Sequence, residues 1–135
     1  MTFFDAHAYV TAVLRESLPE AIVETQINGP RAISVPWYVW VDDSGGLSLY
    51  PGRLDDATFN VVTYSQGSRG DAAHRAYLAQ NALFNSWETQ LTRDGGSISF
   101  FRVEQRPTLQ PVDGLPENCY RYFATYSVGA RAPRE

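Results

Sequence analysis

Lysine is missing from this sequence: all eleven of its basic residues are arginine. A GC-rich genome is the simplest cause, and selection for forked arginine contacts is the physical alternative. Cysteine and methionine occur once each and histidine twice. The lone Cys119 has no intramolecular disulfide partner, and two histidines with one cysteine fall short of a four-ligand structural zinc site. No metal or cofactor is therefore expected. No apolar run approaches the length of a membrane span, so no membrane partner is expected either. Asp5, His7, Arg15 and Glu16 interrupt the opening residues, which leaves no signal-peptide core and predicts a soluble, cytoplasmic chain. Basic runs are also lacking and the net charge is −4, which argues against sequence-specific binding of nucleic acid. The sequence contains no internal repeat, heptad or low-complexity tract.

At 135 residues the chain is read as one domain over its whole length, 1–135, with a polar C-terminal tail at 129–135. Its charge is uneven. Eight acids stand against Arg15, Arg31 and Arg53 up to Gly67, whereas seven acids face eight arginines from Ser68 onward. A weak dipole between the halves follows, which suits self-association.

Residues 58–101 read as strand, helix, strand. In the helix, Ala72, Ala73, Ala76, Tyr77, Ala79, Leu83, Phe84, Trp87 and Leu91 share one stripe, with His74, Asn81, Asn85 and Thr89 opposite. Ser68 is placed as its N-cap, with Asp71 three residues on. Earlier in the chain, Asp5 caps a helix over residues 6–18 that Pro19 stops. Residues 21–27 alternate as a half-exposed edge strand, ended by Asn28-Gly29-Pro30 as a turn. Residues 35–41 are apolar on both faces, so this strand is covered on both sides. Residues 42–57, with Gly45-Gly46 and Pro51-Gly52, form a long connection, read as a protruding hairpin or arm. A second connection, 106–118, carries Pro107, Pro111 and Pro116, which excludes sheet interior. Residues 119–128 close the chain as a strand. The expected fold is α+β: a four- to five-stranded, mainly antiparallel sheet with two helices packed on one face, in the order α-β-β-β-α-β-β.

Candidate chemistry is sparse. Arg69-Gly70-Asp71 reads as a helix start rather than an adhesive tripeptide. His74, one turn from Asp71, is a possible acid/base partner but more ordinarily a solvated surface residue. Asp42-Asp43 and Asp55-Asp56 bracket the arm without the spacing of a calcium loop. No serine has a nucleophile-elbow context, and the glycine pairs lack the lysine of a phosphate loop. Leu78 and Ala82, by contrast, interrupt the polar side of the long helix, and Trp37, Tyr38 and Trp40 give one strand two apolar faces; such surface either marks contact between subunits or is covered by a neighbouring loop.

The order of these features resembles the tail terminator proteins of long-tailed, non-contractile phages, of the lambda U type. The resemblance is carried by the N-terminal helix, Asn28-Gly29-Pro30 leading into Pro36-Trp37-Tyr38-Val39-Trp40-Val41, and Gly45-Gly46. It continues through residues 61–64, 72–83, Gly95-Gly96, Asp113 and the closing strand 121–128. It implies a non-enzymatic virion protein of the phage tail, assembled in the host bacterial cytoplasm. Such a protein forms a hexameric ring on the tail tube, stops addition of the major tail tube protein, and docks the head connector or stopper protein. DNA would pass through the lumen without sequence-specific binding. On this reading the assembly contacts are assigned to Asp42, Asp43, Leu47, Leu49, Tyr50 and Arg53 of the arm, and to Leu78 and Ala82. The rival readings are another neck protein (head closure or tail completion) and a cone-like enzyme or ligand-binding fold with a pocket of Trp37, Tyr64, Tyr77 and Trp87.

Overall fold

Three capped helices and five strands make up the described residues, and the helix caps are local signals that the chain carries where they are needed. The computed structural model describes residues 4–50, 54–93 and 96–131, the side chains of residues 48–50 excepted. Helix α1 (Ala6–Ser17) starts where Asp5 Oδ1 accepts the Ala8 N–H at 3.1 Å. It buries Tyr9, Val10, Val13 and Leu14. Strand β1 (Ile22–Glu24) turns Val23 inward and leaves Ile22 outside, and Arg15 of α1 holds it by donating to the Val23 carbonyl.

The Asn28-Gly29-Pro30 segment is a helix start rather than a turn. It opens α2 (Gly29–Ser34), because Asn28 Oδ1 accepts from the Arg31 N–H at 3.1 Å and the first turn is where proline's missing N–H costs nothing.

Strands β2 (Trp37–Tyr50) and β3 (Leu54–Gln66) pair antiparallel along nearly their full lengths. The residues read as a long connection, 42–57, are therefore mostly ladder. Helix α3 (Arg69–Glu88) begins as expected, Ser68 Oγ accepting the Asp71 N–H at 3.0 Å. Strand β4 (Ser97–Leu109) runs past Pro107, and β5 (Cys119–Arg131) past residue 128. Proline is tolerated there because β4 is an edge strand, and the ladder shifts register between Gln105 and Thr108. Gly129 and Ala130, read as tail, are buried in β5; residues 132–135 lie outside the described residues.

The strand order is β1-β2-β3-β5-β4, parallel between β1 and β2 and antiparallel elsewhere. The fold is thus the expected α+β one, with a mixed five-stranded sheet and a third, short helix. Trp37, Val39, Val41, Phe59, Val61, Ala124, Tyr126 and Val128 meet α1 and α3 in the main core. On the opposite face Tyr38, Val62 and Tyr64 form a smaller cluster with Ala32 of α2, backed by Trp40, Leu115 and Phe123.

Candidate assembly surface

Away from that second cluster, the face opposite α1 and α3 changes character. Asp42, Asn60 and Thr125 face one another across three strands, Asn60 Nδ2 donating to Asp42 at 3.4 Å and Thr125 Oγ1 to Asn60 at 2.9 Å. Beside them Thr58 and Ser127 share a 3.2 Å hydrogen bond, and Ser127 Oγ donates to Glu104 at 3.0 Å. Arg102 closes the band, pairing with Glu104 and lying 3.6 Å from Asp56. The guanidinium holds the Glu104 carboxyl below its usual range, with Ser127 adding to the effect. The result is a polar surface whose groups are bonded mainly to one another.

At one side of the sheet β2 is covered only in part. Strand β1 pairs with Tyr38, Val39 and Trp40, and His7 Nε2 contacts the Val41 carbonyl at 2.7 Å while its ring packs 5.7 Å from Phe59. Beyond Val41 no described strand pairs with this edge, and residues 43–47 are all exposed. Asp43 Oδ1 accepts the Gly45 N–H at 2.9 Å, which sets the irregularity between Asp43 and Gly45. A cleft of about 270 Å³ separates this stretch from the start of α1, lined by Phe4, Asp5 and His7 on one side and Asp43, Leu47 and Phe59 on the other.

At the other side, the first part of β4 is capped by α3 and the turn that follows it: Trp87 Nε1 donates to the Ser99 carbonyl at 3.2 Å and Gln90 Nε2 to the Ile98 carbonyl at 3.3 Å. Past that, residues 102–106 are all exposed. Nothing in the residue pattern singled out this stretch. The available signal was three charged side chains, Arg102, Glu104 and Arg106, in a segment otherwise fit for a strand.

The residues assigned from the sequence fare differently. Asp42, Asp43 and Leu47 lie together on the hairpin, with Leu47 67 % exposed. Leu49 and Tyr50 belong to β2, though their side chains, like the whole of Arg53, lie outside the described residues. The hairpin does not stand alone as an arm, because β5 accompanies β3 as far as the Leu54–Arg131 pair.

Ala82 is not on the outer side of α3. It is 8 % exposed and in the main core, with Leu78 half-buried against the same core. The reason is that α3 packs on α1 as well as on the sheet. Ser86, one turn beyond Ala82, is buried as well and donates to the Leu83 carbonyl at 2.8 Å, while the Tyr9 hydroxyl of α1 donates to the Leu91 carbonyl at 2.7 Å, which widens the buried side. Phe84, placed on the stripe, is instead 39 % exposed.

Asp43, Asp55 and Asp56 border the same cleft, while Asp42 pairs opposite Asn60. Among the described residues no three acidic, histidine or cysteine side chains gather as a metal site requires. His74 stands exposed on α3. Trp37 and Tyr64 lie on opposite faces of the sheet, so the aromatic pocket of the cone-like reading does not form. No described helix is long and apolar enough to cross a membrane.

No protein family and no curated protein matches the sequence. Among solved structures, the chain is similar to one from the virion of a native gene transfer agent (GTA) particle, at 14 % identity and a TM-score of 0.54. The match covers 94 % of this chain and 87 % of that one, so the likeness is one of fold from end to end.

Proposed function

We propose that this protein is a structural part of a virion, which caps the tail tube as a ring, stops addition of tube subunits and offers the head connector its docking surface. The observation that carries this reading is the shared fold: nearly the whole of both chains superposes on a component of a GTA virion. The sequence features that resemble tail terminators, in their order along the chain, support the finer assignment. A capping ring needs one surface complementary to the tube and another that recruits no further tube subunit. The hairpin residues Asp42, Asp43, Leu47, Leu49, Tyr50 and Arg53 are proposed for the contact with tube or neighbour. The ring is proposed to be hexameric, to reside in the virion tail after assembly in the host cytoplasm, and to pass DNA without binding its sequence. The role is structural rather than catalytic.

The test is to add the purified protein to tail-tube subunits while they polymerise and to measure tube lengths by electron microscopy. Growth should stop and extra density should appear at one end of each tube. Unchanged growth, together with binding to DNA-filled heads, would instead favour a head-closure or tail-completion role.

A further inference from the structure

The two open edges of the sheet lie on the same rungs. Asp43 pairs with Phe59, Phe59 with Tyr126 and Tyr126 with Val103. One rung away, Asp42 leads through Asn60 and Thr125 to Gln105. With Gly45 leading through Thr58 and Ser127 to Arg102, residues 43–45 of the exposed stretch of β2 are level with Arg102 and Val103 of the exposed stretch of β4 across the full width of the sheet. Along the order β2-β3-β5-β4 the strand direction alternates, so β4 of one copy set beside β2 of another is again antiparallel.

We propose that copies of this chain join edge to edge, β4 of one adding as a strand to the open stretch of β2 in the next, so that the sheet continues across the subunit boundary. This rests on the ring reading above and names the contact that builds the ring. Charge selects the pairing. Asp43 lies on one edge and Arg106 on the other, whereas Asp42 is already bonded to Asn60 and Arg102 is paired with Glu104. Two β2 edges would set carboxylates against each other, and two β4 edges would set guanidinium groups together, so only unlike edges attract. Each open stretch also carries an irregularity, between Asp43 and Gly45 and between Val103 and Gln105. Irregularities of this kind increase the local twist and discourage indiscriminate pairing of an open edge. Exposed Val103, at 40 %, adds apolar area to bury at the joint. Because the two surfaces differ, the contact is head-to-tail, and it makes a ring where the rotation from copy to copy closes on itself, an open filament where it does not.

The experiment uses the full chain in native mass spectrometry and light scattering, with circular dichroism to confirm folding. Asp43→Arg blocks one edge and Val103→Arg the other, with Leu47→Arg and Arg106→Glu as second variants should either fail to fold. Each variant alone should lose every species larger than the 15.1 kDa monomer. Mixed, the two should form a one-to-one pair and nothing larger, because each keeps one good edge and the pair exposes only blocked ones. The proposal is overturned if a folded variant assembles like the wild type, if the mixture yields no pair, or if the wild-type chain stays monomeric. Wild-type rings that persist in the variants would leave the ring and discard these edges. Edge pairing without any effect on tube growth would leave the edges and discard the terminator role.

Discussion

At Gly46 the backbone takes a φ of +134°, and a Cβ there would overlap the Asp56 carbonyl on the paired strand. Gly45 is also at positive φ, +99°, but has open space around it. Gly45→Ala should therefore cost about 1–2 kcal/mol, the strain of the backbone alone. Gly46→Ala adds a collision with main chain that cannot swing aside, and should cost about 3 kcal/mol or more, read from urea unfolding. A second residue-scale expectation concerns pH. Burial pushes the Tyr126 phenol well above its ordinary value near 10, with Tyr77 adding to the effect, and burial raises Tyr9 and Tyr38 in the same direction. The unfolded chain releases these protons near pH 10 while the folded chain retains them. Their contribution is thus intact below about pH 10 and lost as pH rises beyond it. The melting temperature should fall above about pH 10, and fall less steeply in Tyr126→Phe.

At the scale of elements, α3 shows how far a period can be trusted. Its cap and its small-residue start, Ala72 and Ala76 against Tyr122, were legible because both are local or nearly so. The burial of Ala82 was not, because it depends on where α1 comes to rest. Leu78→Glu should accordingly destabilise the monomer by about 1–3 kcal/mol, since a carboxylate would be pressed against core without a partner. Leu83→Ala, at a fully buried site, should cost about 2–5 kcal/mol. Thermal melts of the two variants check both values. The strands repeat the lesson. Residues 35–41 announced a two-sided strand through their own side chains, and Tyr38 and Val39 duly face different clusters. Residues 42–49 and 106–109 carry glycine, aspartate or proline and look like loop. They are strand because β3 and β5 present a ladder to extend, and a sheet recruits backbone whatever its side chains prefer. The short α2 was hidden for a related reason, as Asn-Gly-Pro serves a turn and a helix start equally well.

At the scale of the molecule, the fold concentrates its apolar contacts between the sheet and two helices. Neither open edge was legible in the sequence, because openness is a property of what fails to lie alongside. The charge asymmetry between the two halves of the chain was legible, and it reappears as Asp43 on one edge and Arg106 on the other. If that asymmetry governs assembly, rings should loosen as salt rises, since exposed charges are screened within about 10 Å at 0.1 M ionic strength. Light scattering across a salt series reads this directly, and an unchanged mass at high salt would assign the joint to backbone and apolar contacts instead.

The polar band on the uncovered face has its own implication. From Asp42 through Asn60 to Thr125, and from Thr58 through Ser127 and Glu104 to Arg102, each side chain already spends its donors or acceptors on a neighbour. Where such a wall borders a channel, a threaded polyanion meets a lining with few loose hands to grip it, and friction along the bore stays low.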